Sequence, residues 1–366
     1  MNISINVEIY FMIEASENFR VSTSQGTKSP YINPSAFPVL HGPDGILFDF
    51  NQGARIVLPA RTEGKWRITL RDLDTGNILF QNENTGATVH SAKRFYVCFG
   101  IIVEDILPQR EARIVFQHEL NLKNKKVVIQ FPVGTLGDTL AWFPYAARFA
   151  HIHQANVTCI LSALIIPVLK DAYPELTLMS PEIAQEQDIL ADSYAMYCMG
   201  LFFDDKENVF QPTDFRLVGL HRTAAYILGV DPAEEAPKLA LSDETRPIAE
   251  KYVCIAVQAS TQCKYWNNPT GWMEIVAYLK KQGYRVICID QKPVHGTAIV
   301  WNHISYRIIN WHTCNSCWND ERERFDHHDF LWRPRHANTP RQFECTRLIM
   351  SQQVIAKIST AIHPLS

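Results

Sequence analysis

The chain has 366 residues, 46% of them hydrophobic, so it is long enough for two or three domains with sizeable cores. Its net charge of −3, without a basic block, argues against a nucleic-acid binder that neutralises many phosphates. No apolar run can span a bilayer, and the N-terminus lacks the basic start and small-residue cleavage site of a signal peptide. Five of the nine cysteines lie in apolar runs, which favours reduced thiols in a cytoplasmic protein.

The first third of the chain predicts a leader followed by a small β domain. Residues 1–35 are poorly patterned, and their fold is not indicated. Residues 36–122 contain short alternating runs near positions 45, 55, 66, 77, 95 and 113. Several short strands at such spacing are typical of a small antiparallel domain.

From Lys126 the pattern changes to alternating strands and helices. Strands are predicted at 127–131, 155–161 and 175–179, and helices at 138–151 and 165–172. A further helical region, 213–229, ends at Gly229. This alternation predicts a parallel sheet covered on both faces, and we place a Rossmann-like domain at 123–235.

After a polar linker, a second α/β unit is predicted at 250–308. It has a strand at 252–259, a helix at 269–282 and a strand at 284–290, and then the pattern stops. A mononucleotide-binding half normally needs more strands than these two, so this half is predicted to be incomplete. A cysteine-rich finger at 309–347 and a C-terminal helix or tail at 348–366 follow.

The most informative segment joins the strand at 127–131 to the helix after it. Gly134 and Gly137 allow close approach of a ligand to the backbone. Asp138 falls where the chain enters the helix, beside the crevice of a doubly wound sheet. A carboxylate there can cap helix amides or act as a general base on a hydroxyl.

A second polar loop follows the first strand of the second unit. Lys264 can neutralise a phosphate there, and the hydroxyls of Ser260 and Thr261 can hydrogen-bond to it. Trp266 offers an apolar face for a sugar or base. The alternative interpretation is a solvated lysine and a packing tryptophan, and this segment alone does not decide between them.

A third cluster could bind a metal. Cys314 and Cys317 form a C-x-x-C pair, and Cys345 follows. Thiolates at this spacing suit zinc or iron, and a closed structural site needs four ligands. The fourth could be a nearby histidine, namely His312, His327, His328 or His336. A C-x-x-C without metal is the alternative.

Together these segments resemble the bacterial autotransporter heptosyltransferases, relatives of the lipopolysaccharide heptosyltransferases. The resemblance runs from about Gly42 to Ile362. Residues 42–55 are similar to the family's N-terminal β domain, 131–142 to its catalytic turn and 261–272 to its donor-phosphate loop. Residues 312–320 and 340–347 are similar to its iron-binding finger.

The resemblance implies a GT-B-like pair of Rossmann-like domains, the acceptor side at 123–235 and a truncated donor side at 250–308. It implies inverting transfer of heptose from ADP-heptose to serine hydroxyls of autotransporter passenger proteins in the cytoplasm. Asp138 would be the base and Lys264 the phosphate contact. A ferric ion in each subunit and a dodecameric ring are also implied.

Two departures from the family pattern limit these expectations. Arg333 stands where the family has its fourth finger cysteine, and arginine cannot bind a metal. The site has therefore lost its metal or recruited a histidine, and zinc is an alternative to iron. The family also has a serine- and glycine-rich segment before the finger, which is missing here. The leader is longer than the family needs, which suggests a start-site artefact.

Three functions therefore stay open. The first is an active protein O-heptosyltransferase. The second is a catalytically inactive, truncated relative that retains acceptor binding or assembly. The third is a metal-binding interaction module, which the pairing of Asp138 with the Lys264 loop disfavours because such a module needs neither.

Overall fold

The computed structural model describes residues 31–132, 136–240, 246, 248–257, 264–288 and 335–362, with isolated positions 308, 312–313, 317, 320 and 322–323. The chain divides into two compact units. The first, which we call the N-terminal unit, spans Gln25–Asp243, and the C-terminal unit contains Glu244–Ser366. No helix among the described residues is long and apolar enough to cross a membrane.

Eight strands occupy the first part of the N-terminal unit. They are β1 (Leu40–His41), β2 (Leu47–Asn51), β3 (Arg55–Leu58), β4 (Lys65–Asp72), β5 (Ile78–Asn84), β6 (Ala87–His90), β7 (Phe99–Ile106) and β8 (Arg113–Glu119). They pair with one another antiparallel. Four of them form a separate sheet in the order β5-β4-β7-β8.

The parallel part follows. Its strands are β9 (Lys126–Gln130), β10 (Asn156–Ile160), β11 (Thr177–Met179) and β12 (Ala195–Cys198). Its helices are α1 (Leu136–His153), α2 (Ile166–Leu169), α3 (Pro181–Glu186), α4 (Phe215–Val218) and α5 (Leu220–Leu228). The four strands are parallel, in the order β11-β10-β9-β12.

The antiparallel and parallel parts are joined into one sheet, so the predicted boundary at 122–123 does not separate two compact units. β12 pairs parallel with β2, and the eight-stranded sheet runs β11-β10-β9-β12-β2-β3-β6, with β1 on β2. One hydrophobic core extends from Ile46 to Val230. The alternating apolar residues of 36–122 predict strands, but they do not predict that β2 pairs with a strand as distant in the chain as β12.

Two elements of the parallel part were not predicted, and one predicted helical region is divided in two. Strand β12 has only four residues, all buried, and helix α3 has about one and a half turns. They were not predicted because elements this short leave little periodicity in the sequence. The helical region at 213–229 is two helices, because Gly219 between them has a φ of 90°. Its end at Gly229 is as predicted, in the left-handed conformation that favours glycine.

The last residues of the predicted leader belong to the N-terminal unit. The Tyr31 hydroxyl donates to the Met199 carbonyl at 2.7 Å. Arg55 donates to the Ser35 carbonyl at 2.7 Å. Tyr31 and Ile32 pack on the face of the parallel sheet that also carries α3. Residues 31–35 are therefore part of the fold, whereas residues 1–30 lie outside the described part.

The C-terminal unit has a small parallel core. Strands β13 (Tyr252–Ile255) and β14 (Arg285–Cys288) pair parallel, with α6 (Gly271–Lys281) between them in the chain. Helices α7 (Glu344–Arg347) and α8 (Ser351–Ile362) follow. The core of α6 and β14 packs against α8 through Val354, Ile355 and Ile358. The predicted C-terminal helix thus covers this core, and residues 289–307 lie outside the described part.

Candidate functional site

Asp138 lies in the first turn of α1, the helix that follows β9 in the chain. The helix begins at Leu136, two residues before it, and the side chain is half-buried. Backbone amides at a helix start favour a nearby negative charge. Gly134 lies outside the described residues. Gly137 is exposed, and an added Cβ would meet no atom of the described residues within 4 Å, so packing among these residues does not require glycine there.

The helix that carries Asp138 is firmly anchored. Trp142, one turn further along, is 1% exposed and donates from Nε1 to the Leu220 carbonyl at 2.9 Å. Phe143 packs against Phe131 at the end of β9 and against Tyr173. Residues i and i+4 lie on one side of a helix, so the Trp142 anchor also fixes the side from which Asp138 projects.

The carboxyl end of β9 is held by a buried glutamine that the sequence analysis did not identify. Gln130, 1% exposed, accepts from the Ile32 amide at 2.8 Å and donates to the Ile32 carbonyl at 2.9 Å. The Gln130 side chain thus satisfies both the amide and the carbonyl of Ile32, as the backbone of a neighbouring strand would. A glutamine at the end of an apolar strand is the signal that could have identified this contact, since a buried amide needs partners.

The second candidate site lies in the C-terminal unit. Lys264 is exposed at the start of a described loop, and Ser260 and Thr261 lie outside the described residues. Trp266 is half-buried, its ring packs edge-on against Trp272 at 5.2 Å, and its Nε1 donates to the Ile349 carbonyl at 3.0 Å. A Cβ added at Gly271 would lie 2.5 Å from this ring. These are the contacts of a packing tryptophan, one of the two roles the sequence left open.

Only part of the predicted metal finger is described. Cys317 is buried and Cys345 half-buried, and neither forms a disulfide. Cys314 and Arg333 lie outside the described residues. Within the described part of the chain, no three histidine, cysteine, aspartate or glutamate side chains form a group that could hold a metal. With three cysteines and Arg333, the donor set does not fit a closed four-thiolate site.

Ion pairs connect the described positions of the finger. Arg335 donates to Asp320 at 2.7 Å and from Nε to Glu323 at 2.7 Å. Arg322 donates to both oxygens of Asp320 at 2.9 Å. Hydrogen bonds from Arg322 and then from Arg335 lower the pKa of the Asp320 carboxyl. Charge pairing therefore connects Arg335 to the described positions at 320 and 323.

Comparison with known proteins assigns the chain to a family. Residues 42–105 match the family model described as the N-terminal domain of glycosyltransferase TibC. The chain is 42% identical to the autotransporter heptosyltransferase BAHTCr of Citrobacter rodentium, over 90% of this chain and 92% of that protein. The chain belongs to the autotransporter heptosyltransferases. Its resemblance to them, carried by the turn at Asp138 and the loop at Lys264, is thereby confirmed.

Two further relatives and two solved structures describe this family. The chain is 41% identical to heptosyltransferase TibC of Escherichia coli, over 88% of this chain and 91% of that protein. It is 34% identical, over 91% of this chain and 90% of that protein, to BimC of Burkholderia thailandensis, an inactive autotransporter heptosyltransferase.

The crystal structure of TibC, an iron-containing dodecameric glycosyltransferase, has a TM-score of 0.80 at 40% identity and covers 91% of this chain and 100% of its own. The values are the same for TibC in complex with ADP-heptose. The fold is thus the mixed α/β fold of TibC.

The alignments also show that this chain is shortened. The match with the Citrobacter relative extends over 388 residues and that with the Burkholderia relative over 392, more than the 366 residues of the whole chain. An alignment longer than the chain contains gaps opposite residues of the relative. This chain therefore lacks residues within the aligned region.

Proposed function

We propose that this protein transfers heptose from ADP-heptose to serine hydroxyls of autotransporter passenger proteins, with inversion and in the cytoplasm before export. The observation that carries the proposal is the half-buried Asp138 in the first turn of α1, the helix that follows β9. A carboxylate at this position can accept the proton of a hydroxyl as a general base. The chain's similarity to heptosyltransferases over nine-tenths of its length supports heptose as the group transferred.

In this reaction Asp138 takes the proton of the acceptor serine. The serine oxygen forms a bond to the anomeric carbon of the heptose, and the bond from that carbon to the diphosphate oxygen breaks. ADP leaves with the bonding electron pair. Lys264 binds the diphosphate and stabilises the negative charge that develops on it, a contribution that is commonly worth about 3 kcal/mol per contact. A GT-B arrangement of the two units belongs to the same proposal.

A catalytically inactive relative is the second candidate function. The shortening within the aligned region favours it, and BimC shows that the family includes an inactive protein. An inactive copy that keeps its fold could still bind acceptor or assemble. ADP binding measured by calorimetry separates the two candidates, because a copy that has lost its donor site binds no ADP.

The base is tested by Asp138→Asn. This variant keeps the size of the side chain but cannot accept the serine proton, so it should bind ADP like the wild type and transfer heptose at least about 100-fold more slowly. Transfer is read from the mass of the passenger and binding from calorimetry. Transfer at the wild-type rate would remove Asp138 from this role.

The proposal extends to metal binding and to assembly. TibC contains iron and is dodecameric. We propose that this chain forms a ring too, whereas the incomplete thiolate set favours loss of the iron or its replacement by a site of three cysteines and a histidine. Four-thiolate ferric sites are coloured, so a colourless protein without iron or zinc by elemental analysis would support loss.

A further inference from the structure

The loop that follows Lys264 is held by the segment before α8. Three consecutive side chains donate hydrogen bonds to that segment. Trp266 Nε1 and Asn268 Nδ2 each donate to the Ile349 carbonyl at 3.0 Å. Asn267 Nδ2 donates to Thr346 Oγ1 at 2.9 Å. No helix or sheet ladder supplies these three bonds, each of which has a side-chain donor.

The same side chains also shape the loop itself. Asn267 Nδ2 donates to the Tyr265 carbonyl at 3.1 Å, one residue after Lys264. Asn268 Oδ1 accepts from the Thr270 amide at 3.1 Å and the Gly271 amide at 2.9 Å. Asn267 and Asn268 therefore each make contacts within the loop or with the start of α6, and each also makes a contact with the segment before α8. The position of the Lys264 backbone depends on the contacts within the loop and on those with the segment before α8.

The start of α6 and the start of α8 are joined as well. Glu274 accepts from Thr270 Oγ1 at 2.7 Å with one carboxylate oxygen and from Ser351 Oγ with the other. These two hydrogen bonds lower the pKa of the Glu274 carboxyl. The loop, the helix after it and the segment 346–351 thus form one connected structure around the half-buried Trp266.

We infer that Thr346 and Asn267 are positioning residues for the donor diphosphate, and that segment 346–349 holds the Lys264 loop in its binding conformation. This inference rests on the proposed function, in which Lys264 contacts the diphosphate. A lysine on an exposed loop has many conformations, and a loop already held in place loses less conformational entropy when it binds. Removing one of these hydrogen bonds should therefore weaken nucleotide binding although neither residue contacts the nucleotide.

The test is ADP affinity measured by calorimetry on full-length Thr346→Val, which keeps the shape but not the hydroxyl. Loss of a hydrogen bond of ordinary strength predicts an ADP Kd about 3- to 10-fold above that of the wild type. Thr346→Ser should restore the wild-type Kd. Tyr278→Phe is the matched control, since it removes the 2.7 Å hydrogen bond between Tyr278 and Ser359 that joins α6 to α8 away from the loop.

A double-mutant cycle separates positioning from general stability. In a Lys264→Ala background, Thr346→Val should cause little further loss of ADP affinity, because the group it positions is gone. Asn267→Ala provides a second variant should Thr346→Val not fold. An unchanged Kd in both variants, or an equal loss in Tyr278→Phe, would overturn the inference alone. Absence of ADP binding to the wild type would instead overturn the proposed function, and the inference with it.

Discussion

A buried charge network lies where the antiparallel and parallel parts of the large sheet meet. Asp49 is 0% exposed and accepts from Arg55 Nε at 2.7 Å and Nη2 at 2.6 Å. Asn51 donates to Asp49 at 2.9 Å and to the Ser193 carbonyl at 3.1 Å. The network thereby connects β2 and β3 to the chain that enters β12.

Removing one partner of this pair should strongly destabilise the protein. Asp49→Ala leaves the Arg55 charge buried without a counter-charge, which predicts a loss of about 3–5 kcal/mol in the free energy of unfolding. Glu235→Gln is the control, because the Arg148–Glu235 pair is partly exposed and should contribute less than about 1 kcal/mol. Urea unfolding of both variants measures the difference, and equal losses would contradict the argument.

A half-buried histidine makes the stability of the protein depend on pH. His118 is packed among Phe48, Phe50 and Phe116. This burial, and then the nearby charge of Lys125, lower its pKa below the ordinary value of 6.5. Between the two values the unfolded chain binds more protons than the folded one. Stability present at neutral pH is therefore lost as the pH falls through 6.5 towards the folded-state pKa.

The corresponding test compares thermal unfolding at about pH 7.5 and about pH 5.5. His118→Gln should lose less stability between these two conditions than the wild type, because the group that gains a proton on unfolding is absent. His41→Gln, at an exposed position, controls for the substitution itself. The same pH dependence in His118→Gln and the wild type would show that His118 contributes nothing to it.

At the scale of elements, β5 is unusual because it exposes large apolar side chains on both faces. Ile78 is 56% exposed and Leu79 49%, and β5 is an edge strand of its four-stranded sheet. Exposed apolar surface and a free strand edge are both features of contact surfaces. In the proposed ring, this edge is therefore a candidate contact between subunits.

Leu79→Glu should reduce the mass of the assembly in solution without lowering the thermal midpoint, because the side chain has few contacts within the subunit. Light scattering coupled to gel filtration measures the mass. Leu164→Glu is a suitable control, since Leu164 is 68% exposed and lies at a distance in sequence from this sheet. An unchanged mass for Leu79→Glu would exclude this edge as a contact.

The elements also show what can be predicted from the sequence. The β9–α1 unit was predictable because a short run of buried apolar residues, the glycines after it and a helix of 18 residues each leave a local pattern in the sequence. Strand β12 was not, since its position between β9 and β2 depends on pairing with residues far apart in the chain. The prediction for Lys264 came from its charge and its place after a strand, both visible in the sequence, whereas the Asn267–Thr346 contact joins residues 79 apart.

At the scale of the whole molecule, the two candidate functions differ in what the C-terminal unit can still do. Its described part retains the Lys264 loop, the helix after it and the segment that holds the loop. The alignments show that residues are missing from the aligned region, and this connected structure is present among the described residues of the unit. We therefore expect this protein to bind ADP and to act as a transferase.

The mass of an intact autotransporter passenger, after incubation with this protein and ADP-heptose, tests this most directly. The account predicts that the mass increases by whole heptose units, and that Asp138→Asn abolishes the increase. An unchanged mass, with TibC active on the same passenger in parallel, would contradict the proposed transfer and leave an inactive relative as the function of this chain.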